Sequence, residues 1–451
     1  MLQRTPCCDQ AIYSTNFVTP LWPDEPEARR GRIAMLSAHT CPLAMLGGRK
    51  TGGMNVYVRE LSRELGRRGW AVDIFTHAES LTRPIVIQMA RNVRVVHVVA
   101  GPVKHIGRYE LYRYLPEFAK NILDFADSEG IAYNLIHSHY WLSGLVAQRL
   151  REAWGIPFVQ MFHTLGALKN QVAETDADRE RAVRIESEAR LMHLADSIVA
   201  ATPLDKHHMV EHYRANPAKI RVIPCGVNLK LFRPLSRTEA RRELGLRADH
   251  HVLLYVGRIE PLKGLDTLFH AVARLMARRP EWRARTELIV VGGGTAPSAE
   301  GWTEEMARLR HLRHQLGLHD VVIFLGAQDQ ETLPYFYAAA DAVVMPSHYE
   351  SFGLVALEAM ACGTPVVASR VGGLTHTVVD GVTGFLVPPK SPNALASRLE
   401  RLLEDAALRR RMGQNGIRRA RQFGWPAVAD RVERLYRRLQ SQNVVLQESS
   451  L

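Results

Sequence analysis

Short apolar runs rich in β-branched residues recur along the chain, and longer segments separate them in which apolar positions return every three or four residues. In the first half the runs are "GRIAMLSA", "WAVDIFTH", "VRVVHVVA", "YNLIHSHY", "IPFVQMFHT", "DSIVAAT" and "IRVIPCGV", with amphipathic segments such as "NVYVRELSRELGRRG" between them. In the second half "HVLLYVGRI", "RTELIVVGGG", "VVIFLGA", "DAVVMPS" and "TPVVASRVGG" repeat the layout. A run of four to eight buried residues is a strand, and a three-to-four period is a helix. Strands that alternate with helices form parallel sheets covered on both faces. The pattern therefore predicts an α/β chain with two Rossmann-like, doubly wound parallel-sheet domains.

Between the halves, "GVNLKLFRPLSRTEARRELGL" breaks the pattern, because Pro234 and polar residues follow the last apolar run. This sets the boundary near 229–240. The expected organisation is an irregular N-terminal arm over 1–30 and a first domain over 31–230. A second domain over 235–425 follows, then a C-terminal helix over 426–440 that packs back on the first domain, and a tail from 441. Two doubly wound domains leave a cleft at the carboxyl ends of their strands, and ligands bind there.

Length and composition narrow the picture further. A chain of 451 residues holds about two or three domains of ordinary size. No uninterrupted apolar run approaches the ~20 residues of a membrane span, and the first thirty residues lack a secretory apolar core. The expectation is a cytoplasmic protein without a membrane span. Cys7, Cys8, Cys41, Cys225 and Cys362 are scattered without a second pair to complete a zinc site, so reduced thiols are expected. The net charge of +12 draws on a late arginine-rich stretch, "LRRRMGQNGIRRARQFGWPAVADRVERLYRRL". Leu408, Met412, Ile417 and Ala420, then Val428, Val432, Leu435 and Leu439, recur there near helical spacing, so the arginines read as the wet faces of two helices. No binding module for nucleic acid accompanies the charge, and no such partner is expected.

The stretch "PSHYESFGLVALEAMACG" carries candidate chemistry. "DAVVMP" is a strand, and Leu354, Leu357 and Ala361 return at helical spacing, so a helix starts near 351–353. Free N–H groups at a helix start bind anions, and Gly353 allows an anion to approach the backbone closely. Glu350 would sit beside that anion. Glu358 lies two turns on, beside the core-facing stripe, where a carboxylate needs donors that ligand hydroxyls could supply. Two glutamates around a helix start also serve as capping and surface charges. Arg258 and Lys263 follow the strand "HVLLYVG" and could neutralise a diphosphate in the same cleft, or be plain surface cations.

In the first half "TGGMN" lies between a strand and a helix. Gly52 and Gly53 permit close backbone approach there, and the amide of Asn55 can face a polyol. "HSHYWLSG" and "FHTLGALKN" each place a histidine and hydroxyls at a strand end, positions that core histidines also occupy.

Together "VGRIEPLKG", "ESFGLVALEAMACGTPVVAS" and "VGGLTHTVVDGVTGFLV" resemble the donor half of the retaining GT-B glycosyltransferases of family 4, over about residues 31–440. The resemblance implies a nucleotide-sugar donor, probed for its base by no residue of the sequence but expected to be UDP-linked. It puts Arg258 and Lys263 on the diphosphate and Glu350, with the backbone of Phe352, Gly353 and Leu354, on the sugar hydroxyls. Glu358 would take the ribose, and Gly53 would also touch the donor. "GGMNVYV", "HSHYWLSG" and the "HTL" and "KN" of residues 163–170 are most similar to a branch of the family that glycosylates inositol 3-phosphate. Sucrose-phosphate synthases share several of these motifs. By that likeness Asn55, Tyr140, Thr164 and Arg184 hold a phosphorylated acceptor, and His163 sits at the reacting carbon. Arg108, in "AGPVKHIGRYEL", replaces the lysine that relatives carry, a planar fork in place of a point charge.

The implied reaction is retaining, by departure and attack on one face, with His163, Arg258, Lys263 and Glu350 as the catalytic set. No acidic pair has metal-ligand character, so neither a metal nor a cofactor is expected. Two alternatives remain: a hexosyltransferase like sucrose-phosphate synthase, and a non-catalytic protein that binds a sugar nucleotide. A dehydrogenase is disfavoured, because no G-x-G-x-x-G follows "RIAMLSA". A homodimer is compatible with the sequence, which does not fix the oligomeric state.

Overall fold

The computed structural model describes residues 30–44, 52–173, 175–293 and 303–448. The arm expected over 1–30 lies outside the described residues except for Arg30. The described residues form a sheet of eight strands and a second of six. The first comprises β1 (Arg32–Leu36), β2 (Ala71–His77), β3 (Val86–Ala90), β4 (Val93–Val98), β5 (Leu135–His139), β6 (Phe158–Met161), β7 (Ser197–Ala200) and β8 (Ile220–Val222). Its order is β3-β4-β2-β1-β5-β6-β7-β8.

The second comprises β9 (His251–Val256), β10 (Thr286–Val291), β11 (Val322–Gly326), β12 (Ala342–Met345), β13 (Val366–Ser369) and β14 (Gly384–Val387), in the order β11-β10-β9-β12-β13-β14. This is the doubly wound order of a mononucleotide-binding pair, with its switch point between β9 and β12. The first sheet has its own switch point between β1 and β5.

The first sheet departs from the all-parallel expectation at one edge. β3 pairs antiparallel with β4, because only Arg91 and Asn92 separate them and so short a connection allows no crossover. Asn92 takes the positive φ of the turn, which asparagine tolerates. β3 escaped the pattern because its residues are half-buried or exposed, as an edge strand's are.

Elsewhere the apolar runs are buried on both faces, apart from the edge strand β11, where Ile323 and Leu325 are exposed. The long helix Trp425–Glu448 leaves the second sheet and lies against the first helix, Gly53–Arg67. Tyr436 meets Trp70 edge to face, and Trp425 meets Tyr57 in the same way. Arg68 donates to Asp430, to Glu433 at 3.3 Å and to the carbonyl of Pro426 at 2.9 Å. The tail expected from 441 is corrected to helix as far as Glu448, since no glycine or proline ends the helix after Leu439. No helix among the described residues is long and apolar enough to cross a membrane.

Candidate active site

The second sheet presents its candidate residues around its switch point. After β9, a single turn of 3-10 helix, Pro261–Lys263, brings Lys263 Nζ to 2.6 Å from Glu350 Oε2. Glu350 follows β12. The two strands are neighbours, so the sheet itself juxtaposes residues 87 positions apart. The turn can sit this close because Gly264, at φ 66°, has no Cβ, which would overlap the carbonyl of Pro346 at 2.2 Å. Arg258 pairs with Glu260 at 2.6 Å and remains partly exposed. Both candidate cations therefore already have carboxylate partners, which a diphosphate would have to share.

The helix Leu354–Ala361 begins one residue after Gly353, whose φ of 91° suits glycine. Its first backbone bond runs from Ala356 N–H to Gly353 O at 3.0 Å, so the N–H groups before it point out of the helix start. A phosphate or sugar oxygen fits that position. The Phe352 side chain is buried in the core, and Thr377 Oγ1 donates to its carbonyl at 2.7 Å, so any contact of Phe352 with a ligand would be through its backbone.

Glu358 is buried, and Tyr337 donates its hydroxyl to Oε2 at 2.6 Å. Burial pushes the Glu358 carboxyl up to about 7, opposed by the Tyr337 hydrogen bond and by the nearby charge of Arg59. Arg59 belongs to the first helix and donates to Gln330 on the second-sheet side. Tyr337 did not stand out in the sequence, where it reads as one more apolar-helix aromatic.

In the first sheet, Tyr140 directly follows β5, and His163 lies two residues beyond the end of β6, which pairs with β5. Both have positive φ, 76° and 61°, uncommon for residues with a side chain and most frequent at strained functional loops. His163 Nε2 lies 2.9 Å from His139 Nδ1. Burial lowers the His163 imidazole to about 3, so it is neutral at physiological pH. A neutral ring exchanges hydrogen bonds with sugar hydroxyls, and it is a poor cationic electrophile.

Arg184, from the helix Ala182–Leu194, is completely buried. It donates through Nη2 to Thr164 O and Oγ1, both at 3.0 Å, and its guanidinium lies 4.8 Å from the ring centre of Tyr140. It pairs with Glu188 at 2.7 Å and Glu180 at 2.8 Å. Arg108 reaches the same Glu180 carboxylate at 3.3 Å and is partly exposed. Arg108, Tyr140, Thr164 and Arg184 thus converge.

Asn55 does not join them. It is buried, and its amide donates to Thr40 Oγ1 at 2.7 Å and to Cys41 O at 2.8 Å while its carbonyl accepts from Gly52 N–H at 3.1 Å. It braces the loop between β1 and the first helix. Lys169, Glu180 and Glu188 were missed by the sequence reading. The two glutamates are signalled by the spacing Glu180, Arg184, Glu188, which places a carboxylate one helical turn on either side of an arginine.

The two groups face each other. A Cβ on Gly53 would lie 3.1 Å from Leu354 Cδ1, and one on Gly52 would lie 3.7 Å from Arg258 Nε. Leu165 N–H, next to Thr164, lies 3.4 Å from the hydroxyl of Tyr349, next to Glu350. No cluster of three or more potential metal ligands occurs among the described residues.

Two facing doubly wound sheets with polar groups at both switch points are the arrangement found in GT-B sugar transferases. Signatures described as "Glycosyltransferase Family 4" and "Glycosyl transferases group 1" match residues 51–231 and 236–419. The chain belongs to the group 1 glycosyltransferases of the GT-B fold, with a family 4 domain preceding the group 1 domain. It is 43% identical over 407 residues to a D-inositol 3-phosphate glycosyltransferase of Kribbella flavida, covering 90% of this chain and 95% of that one. The corresponding enzyme of Actinosynnema mirum is 45% identical over 401 residues, covering 88% and 95%. Among solved structures, the sucrose-phosphate synthase of Thermosynechococcus elongatus superimposes with a TM-score of 0.84 at 39% identity, covering 92% of this chain and all of that one (100%).

Proposed function

We propose that this glycosyltransferase moves a sugar, with retention, from a UDP-sugar to a small phosphorylated polyol such as inositol 3-phosphate. The observation that carries the reading is the convergence of Arg108, Tyr140, Thr164 and Arg184 beside His163, across from the Lys263–Glu350 pair. Cations and hydroxyls at one sheet end suit a phosphate ester, and the relatives named for inositol 3-phosphate support that choice.

In the proposed reaction Lys263 and Arg258 hold the donor diphosphate, and the helix start at Gly353–Leu354 with Glu350 orients the sugar. Glu358 accepts from the ribose, and Gly53 allows the donor to approach the backbone. The bond between the anomeric carbon and the diphosphate oxygen breaks as the acceptor oxygen bonds to the same face. The acceptor proton passes to the leaving diphosphate, whose growing charge Lys263 and Arg258 stabilise. Protein cations serve in place of a metal, and the reaction takes place in the cytoplasm.

The test mixes the protein with UDP-N-acetylglucosamine or UDP-glucose and with inositol 3-phosphate, inositol or fructose 6-phosphate, and follows UDP release. Product NMR reports the anomeric configuration, and a parallel reaction with EDTA reports metal dependence. Release that requires inositol 3-phosphate supports the reading. Preference for fructose 6-phosphate favours the second reading, a sucrose-phosphate synthase-like activity, to which the 39% identity of that structure lends support. Binding of UDP without turnover for any pair would refute both.

A further inference from the structure

The carboxylate of Glu180 collects an unusual number of donors. Oε1 lies 3.3 Å from Arg108, 2.7 Å from Lys169 and 2.8 Å from Arg184, and Oε2 accepts from the Tyr109 hydroxyl at 2.8 Å. Its backbone is clamped as well: Glu180 N–H donates to Asn170 Oδ1 at 2.7 Å, and Asn170 Nδ2 donates to Glu180 O at 3.1 Å. The loop before the helix Ala182–Leu194 is therefore built to hold one anionic group in a fixed place.

Neutralising Arg184 does not require it, because Glu188 already pairs with Arg184 at 2.7 Å. Glu180 instead offsets Lys169 and Arg108, so that three cations face two carboxylates. Burial would raise the Glu180 carboxyl, but Arg184, Lys169 and Arg108 hold it down to about 2, so it is ionised at neutral pH. A phosphate oxygen would seek the same donors, with the same geometry, that this carboxylate occupies.

We infer that Glu180 is a built-in anion that holds the acceptor-phosphate cations together until an acceptor binds and sets the minimum charge an acceptor must carry to bind. This rests on the reading that a phosphorylated acceptor binds beside Thr164. A dianionic phosphate can take over hydrogen bonds from a single carboxylate, whereas a singly charged or neutral group cannot. Glu180 is thus a specificity-determining residue, acting through the cations it restrains.

The test compares wild type with Glu180→Gln, which keeps the shape and removes the charge. Binding of inorganic phosphate, and of acetate at equal ionic strength, is measured by calorimetry. Phosphate should bind about tenfold tighter to the variant, the scale expected for deleting one like charge at the edge of a partly buried site. Acetate, too weak to displace Glu180 in the wild type, should become a measurable ligand. Phosphate should also raise the melting temperature of Glu180→Gln more than that of the wild type.

A folded Glu180→Gln that binds phosphate no better than wild type, or worse, would overturn the inference and leave Glu180 a structural brace. Should that variant not fold, Glu180→Asp keeps the charge but draws it back by one methylene. Severalfold tighter phosphate binding by Glu180→Asp supports the inference, and weaker binding overturns it. The functional reading is judged separately by wild-type turnover. A wild type that glycosylates a phosphorylated polyol while the variants gain no anion affinity keeps that reading and rejects this inference. Tighter anion binding by the variants in a protein that uses only neutral acceptors rejects that reading and the acceptor-selecting role of Glu180 with it, leaving Glu180 only as the anion that restrains these cations.

Discussion

Lowering the pH should weaken nucleotide binding through Glu358, and the size of the effect follows from its burial. A carboxyl titrating at about 7 is some nine-tenths ionised at pH 8 and about one-tenth ionised at pH 6. Only the carboxylate can accept from both ribose hydroxyls, so nucleotide affinity should fall about tenfold over that range, or about 1.4 kcal/mol. The free diphosphate titrates as well, so the informative quantity is the difference between wild type and Glu358→Gln, in which that background is common. Calorimetry with UDP at pH 6, 7 and 8 should give a steeper pH dependence for wild type than for the variant. Tyr337→Phe, which removes the donor to the carboxylate, should move the midpoint upward.

Folding stability supplies a check of opposite sign. The acid's pKa is higher folded than the ordinary 4.5, so the native state binds more protons between 4.5 and about 7. Stability contributed by this group is then present at low pH and is lost as pH rises through that window, by up to roughly 3 kcal/mol. Parallel pH dependences of UDP affinity in wild type and Glu358→Gln would refute the assignment of Glu358 to the ribose.

Other tests follow from specific contacts. Lys263→Ala should lower kcat more than it raises donor KM, because the charge it meets grows as the bond breaks, and a change in KM alone would make it a ground-state anchor. Arg184→Ala should cost about 3–5 kcal/mol of folding stability, since it leaves Glu180 and Glu188 buried without their shared partner, and chemical denaturation will measure it. Arg108, partly exposed, is therefore the cleaner probe of the acceptor: Arg108→Ala should lower kcat/KM for a phosphorylated acceptor about tenfold or more, and Arg108→Lys should restore most of it. Asp341→Ala should destabilise the second domain by about 3–5 kcal/mol, because Arg237, Arg241 and Arg409 all pair with this buried carboxylate, and urea unfolding reports the loss.

Most of the architecture was legible from apolar runs, because strands buried on both faces must be apolar throughout. β3 and β14 were not read as strands: one is a half-exposed edge, and the other is the four-residue run Gly384–Val387 behind a glycine-rich turn. The site was legible where local geometry reveals it, as at Gly353 and the Lys263 turn. It was illegible where pairing depends on distant neighbours. Nothing near Asn55 in sequence announces that Thr40 and Cys41 take up its amide, and nothing near Glu358 announces Tyr337. The Glu180 and Glu188 flanks of Arg184 could have been found by their four-residue spacing, but that spacing alone does not bring in Lys169 and Arg108.

The return of Trp425–Glu448 to the first helix makes the molecule a door hung on two pins. The chain crosses between the lobes once near Val227 and again near Gly424, and the two crossings run side by side, joined by the bond from Val227 N–H to Phe423 O at 2.8 Å. A single tether would leave the lobes free to twist about it, whereas paired tethers favour one axis of swing. The lobe carrying Arg258 and Glu358 is also one continuous stretch of chain, while the lobe carrying His163 and Arg184 needs a distant segment to cover Tyr57 and Trp70. During synthesis the first lobe therefore waits, with its first helix uncovered, until the helix Trp425–Glu448 emerges, and the second lobe is complete before it.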